Sequence, residues 1–523
     1  MILESTEQKL FTNKLNYDLN TKTATYFSGA TLTNGETQLT SKIGYYYVSQ
    51  DQAYFKDSVV VVDPEFELKS DTLQFETKEK KAIFLGPTLV AQNDGQIYCE
   101  EGFYDTQNKQ AEFKTNAQYQ KGAQKAWADL MQYDGNNKTT TLIGNAKFIE
   151  GEKLATADRI IYEEETEITN LDGNAYFKDE EQEIKSDKIR YDSKNEVYNT
   201  AGRSKVSDAD QILEADFIKS EGKISVATGN VIWRDTVQDI SISHCDSARY
   251  IKEEDLFKAM GGRPLLTTMM DDDTLFLSAD TLISFLKNPE DSVRTLLANK
   301  NVKIFKTDLQ AICDSLIYSE ADSIFKFYKQ PIIWSDTSQF SADTIHIQMA
   351  DEKIDQIFMI KNAFMINSPD EENFNQIKGK DITAFFENDE VRRMNIVGNA
   401  ESVYWAKDDD DAYIGANKVL CSSMLMYFGN NEVEDIRFYN KPDGAFTPME
   451  QVKKSEIQLA GFRWVIEDRP ISLESILRET KLQVVAPLAK PETTEEEKPK
   501  TEVPKNQPQG KIEKQNKKQS KKQ

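Results

Sequence analysis

The chain has 523 residues, more than one ordinary core needs, and a formal charge of −24. That acidity excludes a phosphate-tracking nucleic-acid binder and argues against docking to an anionic membrane surface. Hydrophobic residues make up 39% and aromatics 10%, which excludes global disorder. With only His244 and His346, histidine chemistry is not expected. Cys99, Cys245, Cys313 and Cys421 fit no CxxC or CxxH pattern, so neither a zinc site nor a disulfide framework is expected. No run of 18 apolar residues encodes a membrane helix, and Met1-Ile2-Leu3-Glu4 does not open a signal peptide.

The first strand is expected at Asn13–Tyr17, and a repeat follows. The pattern small, Asp, any, aliphatic, any, aromatic appears first as Ser70-Asp71-Thr72-Leu73-Gln74-Phe75. It returns at Ala128–Tyr133, Ala157–Tyr162, Ser186–Tyr191 and Cys313–Tyr318. Weaker copies sit at Asn13, Ser41, Glu100, Asp216, Asp246, Asp280, Asp343, Asp381 and Ser423. From 71 to 216 the period is 29 residues, and later intervals lengthen by insertion. A glycine follows the acid by 15 residues in Asp71/Gly86, Asp129/Gly144, Asp158/Gly173, Asp187/Gly202 and Asp246/Gly261. Several copies read Gly-Asn-Ala-x-aromatic, as in Gly144-Asn145-Ala146-Lys147-Phe148.

Each unit reads as two strands. In the first, Asp187, Ile189 and Tyr191 share one face and Ser186, Lys188 and Arg190 the other. A polar turn follows, such as Asp134-Gly135-Asn136-Asn137 or Asp192-Ser193-Lys194-Asn195. The second strand carries the glycine, which marks a bulge or bend. A bent hairpin of this kind is stable only when stacked copies bury a shared interior. One strand per sheet from each unit would stack fourteen units to roughly 65 Å. Helix is expected near 289–298, after Asn288-Pro289, and near 472–479. Repeats therefore fill 1–240 and, with longer insertions, 241–465. A short helical or irregular segment covers 466–485, and a disordered Lys/Glu/Pro-rich tail covers 486–523. The tail holds ten lysines against six glutamates, +4 against −28 for the rest.

The phased set of strand, polar turn and Gly-Asn-Ala strand resembles the OstA/LptA-type β-jellyroll of lipopolysaccharide transport, found in LptA, LptC and the periplasmic part of LptD. Gly398-Asn399-Ala400-Glu401-Ser402-Val403-Tyr404-Trp405 and Gly444-Ala445-Phe446-Thr447-Pro448 are similar to the OstA-like proteins of Bacteroidetes-type bacteria. The resemblance covers roughly 13–448. It implies an all-β, elongated, taco-like array of about fourteen units whose apolar interior shields lipid acyl chains. It also implies a periplasmic location, with outer-membrane association left open and the export signal lost with a truncated start. Lipopolysaccharide or lipid A is the implied ligand. LptC-like and LptD-like jellyrolls, joined end to end, are the implied protein partners. No nucleic acid and no cofactor are expected. The groove candidates are Leu73, Phe75, Ile160, Tyr162, Ile189, Tyr191, Leu316 and Tyr318.

Read from the residues alone, those side chains fill a closed sandwich equally well. A structural or adhesive β-solenoid with a filled interior is therefore the alternative function. An enzyme acting on envelope polysaccharide would need a paired-carboxylate cleft, and none can be located. One Asp per 29 residues makes a ladder, not a metal cluster, and each is expected to bond a neighbouring turn. Asp271–Asp273 and Asp408–Asp411 lack EF-hand spacing and read as acidic loop insertions. Cys245 and Cys313 take the slot of Ser or Ala and read as buried free thiols. Neither a catalytic residue nor a metal ligand is expected.

Overall fold

Alternation of apolar and polar residues, interrupted once per strand, gives a sheet that folds over on itself. The computed structural model describes residues 1–478 apart from 5–7, 93, 238, 271, 287–292, 352, 388–389 and 430–431. The expected tail, 486–523, lies outside the described residues. Strands run from Ile2–Glu4 to Asp443–Pro448 in one connected antiparallel array.

Strand Thr139–Glu150 shows the rule. Thr139 to Ile143 pair with Glu163 to Arg159, and Ala146 to Glu150 pair with Ala157 to Lys153. Gly144 and Asn145 stand unpaired opposite Asp158, with φ of 73° and 47°. Two consecutive left-handed residues turn the strand through a corner. The same device recurs at Thr115–Asn116, Gly173–Asn174, Gly229–Asn230, Lys300–Asn301, Lys361–Asn362 and Gly398–Asn399. Elsewhere the strand breaks outright, as between Val197–Ala201 and Ser204–Ser207 on either side of Gly202.

The corners align into a bend that divides the array into two walls. Wall A holds residues just before each repeat Asp and just after each Gly-Asn. Wall B holds those just after the Asp and just before the Gly. Both strands of a unit cross the bend, so each unit adds two strands to each wall. This corrects the expected one strand per sheet and doubles the rise to about 9.6 Å per unit.

The repeat Asp holds the corner from outside. Asn145 Nδ2 donates to Asp129 at 3.0 Å, Asn174 to Asp158 at 3.0 Å and Asn230 to Asp216 at 2.7 Å. Asn301 to Asp280 and Asn362 to Asp343 repeat it at 2.9 and 3.1 Å. These five Asp residues therefore bond the bend of the next strand, as expected of a structural ladder, while Asp381 accepts the Lys361 N–H of the preceding corner at 2.9 Å. The preceding glycine is required twice over: φ is positive, and a Cβ on Gly144 or Gly173 would overlap the carboxylate of Asp129 or Asp158.

Inside, residue size follows the wedge. Small residues meet at the bend, in pairs such as Ala117 with Ala128, Ala146 with Ala157 and Ala175 with Ser186. Leu142, Ile160, Leu171 and Ile189 come next and are buried. One continuous apolar cluster links Tyr26 to Met426. The bend corrects one expected face assignment. Ser186 and Ile189 are both buried, while Asp187 and Lys188 between them are both exposed, because the alternation slips at the corner.

Helix is found where Ser472 caps Leu473–Leu477 with a capping box. The helix expected over 289–298 is overturned in its second half, since Arg294–Phe305 is a strand. Leu296 and Leu297 pair with strands on both sides, and that pairing overrides the local helical spacing. Residues 289–292 lie outside the described residues. After Pro448 the chain turns back across the outer face of wall A, burying Ile457 and Leu459 against Phe364, Ile366, Val403 and Trp405.

Wall B ends in polar turns. Asp134 Oδ1 accepts the backbone N–H groups of Asn136 and Asn137, and Asp192 Oδ1 that of Asn195. These bonds hold both carboxyls below their usual range, in each case led by the side-chain amide of the turn asparagine.

Gly173→Ala is expected to lower stability by about 1–3 kcal/mol, from the left-handed backbone and the displaced Asp158. Gly151→Ala, at an exposed turn where a Cβ meets nothing within 4 Å, should cost only the backbone share of about 1 kcal/mol. Urea unfolding of both variants checks the difference. A carboxyl whose folded pKa is lowered stabilises the fold above its unfolded pKa, and that contribution is lost as pH falls through the folded value. The unfolding midpoint should therefore drop below about pH 4, and drop less in Asp134→Asn/Asp192→Asn, read by thermal melts from pH 6 to 2.5.

Candidate functional site

The two walls and the bend enclose a wedge-shaped interior that runs through the repeats. All eight candidate residues lie on wall B. Leu73, Ile160, Ile189 and Leu316 sit next to the bend, at 1–2% exposure. Phe75, Tyr191 and Tyr318 are half-buried one step outward, and Tyr162 is 38% exposed. The interior therefore reads small, aliphatic, aromatic from bend to mouth: Ala157, Ile160, Tyr162 in one unit and Cys313, Leu316, Tyr318 in another. Cross-strand neighbours continue each layer. Ile160 stands between Leu142 and Leu171, and Leu316 between Ala298 and Phe327.

Sequence reasoning found one wall and missed the other. Leu68, Ile184, Trp233, Ile242, Leu277, Ile304 and Phe340 are buried on wall A. The signal lay upstream of the Asp, in the Leu68-x-Ser70 and Ile184-x-Ser186 alternation, whose phase differs from that downstream. Aromatic pairs show the walls facing one another. Phe177 on wall A lies 5.4 Å from Tyr191 on wall B, and Trp233 on wall A stacks at 5.0 Å on Phe257 of wall B. At the mouth, Lys252 Nζ from the wall B rim meets Glu181 of the wall A rim at 2.7 Å. Both partners are exposed, so this pair is worth little in stability and serves mainly to mark how near the rims come.

The mouth is uncharged in its aromatic layer and acidic at its lips. Burial, followed by the surrounding carboxylates, raises the phenol pKa of Tyr104 beside Glu65 and Asp63, and of Tyr162 beside Glu167 and Glu164. Tyr250 is pushed up to about 12 by burial and by Asp255, whose Oδ1 accepts its hydroxyl at 3.0 Å. Burial also raises the thiols of Cys99, Cys245 and Cys313, which are free. They face the bend as small core residues, and His244 beside Cys245 is exposed at a corner.

Among the described residues no group of three or more His, Cys, Asp or Glu side chains is placed to hold a metal ion. Asp408 spends its Oδ1 on the backbone N–H groups of Asp410 and Ala412. Asp273 likewise accepts from Thr274 and Thr307. Both acidic runs are thus loop-forming where described. Among the described residues no helix is long and apolar enough to cross a membrane.

Residues 1–71 match the family model of the OstA-like protein. Residues 38–162 and 150–197 match that of the LptA/(LptD N-terminal domain) LPS transport protein. A search of curated proteins finds no match. Among solved structures, LptH, the LptA homologous periplasmic component of the lipopolysaccharide transport device from Pseudomonas aeruginosa, is 17% identical. That likeness spans 26% of this chain and 81% of LptH at a TM-score of 0.16, too low to bear on fold or function. The two family matches together span residues 1–197, and over that stretch the chain is similar to the OstA/LptA-type family, while the Asp and Gly-Asn ladder continues beyond it.

Proposed function

We propose that the chain is a non-enzymatic carrier of lipopolysaccharide, whose acyl chains lie in the wedge while the polar headgroup stays at the mouth. The observation that supports it is the graded, two-walled apolar interior continuous from Tyr26 to Met426. Such a surface offers a hydrocarbon chain a row of near-equal sites, so movement along it needs no chemistry. Each methylene taken from water contributes about 0.8 kcal/mol. About ten methylenes would gain roughly 8 kcal/mol before ordering costs and the cost of parting the walls.

On this reading the chain works in the periplasm, on the way to the outer membrane. Its driving force comes from elsewhere in the transport system. Protein partners add strands to its ends. Asp443–Pro448 on wall A and Glu432–Tyr439 on wall B each pair with Tyr413–Gly429 on one side, leaving an edge for an LptC-like or LptD-like jellyroll. A structural β-solenoid is the competing reading, and one observation favours it: Leu73, Ile160, Ile189 and Leu316 are already covered by the chain's own side chains.

The two readings part on contact. A lipid entering from the mouth meets Phe75, Tyr162, Tyr191 and Tyr318 first, then the aliphatic layer. Photo-crosslinking residues placed at Tyr162, Tyr191 and Ile189 should capture lipopolysaccharide in cells, while Lys188 and Arg190, which point outward, should not. A folded protein with no adduct at any interior position would replace the carrier with the solenoid.

A further inference from the structure

The segment after Pro448 is bound to wall A in register with the repeats. Three residues before the small bend residue of successive units stand Gln310, Gln339, Gln376 and Lys418. The three glutamines are 3%, 1% and 2% exposed. Lys418 Nζ donates to Glu456 O at 3.4 Å, and Gln376 Oε1 accepts Leu459 N–H at 2.9 Å. Gln339 donates to Arg463 O at 2.7 Å and accepts Val465 N–H at 3.0 Å. Gln310 Oε1 accepts Arg469 Nε–H at 2.7 Å. Body and segment thus run in opposite order, one tie per unit. A unit rises about 9.6 Å, and the segment offers one tie to each unit at steps of three to six residues, partly extended and partly in the short turns Lys454–Ile457 and Ile466–Asp468.

Beyond Gln310 the anchoring changes from amides to cations. Lys303 donates to Ser475 O at 3.1 Å and Arg478 O at 3.0 Å, and Arg263 to Ile476 O at 3.2 Å. These carbonyls close the short helix Leu473–Leu477, where positive charge is favourable. The same outward slot in preceding units holds Phe276, Ile212 and Glu183, none of them an amide. Apolar contacts reinforce the ties: Phe462 and Trp464 lie at 5.3 and 5.4 Å from Phe374. Wall A is consequently buried on both faces, as the unbroken buried runs Ile332-Ile333-Trp334 and Phe364-Met365-Ile366 show. Each of these partners belongs to wall A, its rim or the bend. The outer face of wall B in the same units carries half-exposed Lys326 and His346.

We infer that residues 453–478 are a brace that stiffens wall A over the last repeats and leaves wall B as the compliant wall, the one that swings about the bend when the interior widens. The widening rests on the carrier reading above; the difference in stiffness does not.

Hydrogen exchange on the full chain, resolved by peptide, tests it. Amides of 332–341 and 375–379 on wall A should exchange at least about tenfold more slowly than those of 324–328 and 344–348 on wall B. Gln339→Ala/Gln376→Ala should close that gap by loosening wall A alone, with 139–192 unchanged as the folding control. Arg469→Ala, which removes a tie from the segment's side without touching the wall, should act in the same direction. Equal protection of the two walls in the unaltered protein, or equal loosening of both in either variant, overturns the brace. With lipopolysaccharide micelles added, wall B should change and wall A should not. Matching changes in both walls overturn the brace but leave the carrier standing. Asymmetric walls with no interior crosslink sink the carrier alone.

Discussion

Everything in this molecule depends on a corner that each strand must turn at the same height. A strand prefers to stay straight, and two consecutive left-handed residues carry a backbone cost. At four corners the chain meets that cost with glycine then asparagine and at others, such as Lys300–Asn301 and Lys361–Asn362, with asparagine alone, and it recovers part of it by bonding the asparagine to an aspartate one strand back. Because that aspartate lies opposite the next corner, every bend is keyed to its neighbours. The alignment of corners then creates two walls from one sheet, with an interior that could not exist in a flat one.

The wedge explains the residue gradient. Walls that meet at a line leave room for methyl groups beside the line and for rings only farther out. Ala157, Ile160 and Tyr162 could not exchange places without either a cavity at the mouth or a clash at the bend. The same geometry makes the interior suitable for a tapering hydrocarbon cargo and equally able to close on its own side chains. How far the walls part therefore decides between the two, and the segment across wall A bears on that quantity directly.

Much of this was legible in the sequence because the repeat is strict where geometry is strict. The Asp, the small residue before it and the glycine 15 positions later announce strands, bend and period. What was not legible follows from the corner as well. A slip in alternation at Asp187–Lys188 puts a wall A residue in the phase of the opposite face, so half the interior was missed. The run Arg294–Ala298 keeps helical spacing by accident, and only its pairing on both sides reveals a strand. The brace lacks any periodicity of its own, and its seat was readable only as the unbroken apolar runs at 332–334 and 363–366, which mark a strand covered on both faces. Insertions collect at rim loops such as 368–374 and 408–412, and where a corner is lengthened, at Gly261–Pro264, the strand breaks there and both halves, Leu256–Met260 and Leu265–Met270, keep pairing with Ile240–Ile251.

The far end of the brace has a consequence for traffic around the molecule. Arg478 is held at Lys303, on the flank and several units short of either tip. The described brace occupies a flank of wall A and pairs with neither outer strand, Glu432–Tyr439 or Asp443–Pro448, so the route by which a neighbour would add strands stays separate from the route by which wall A is stiffened.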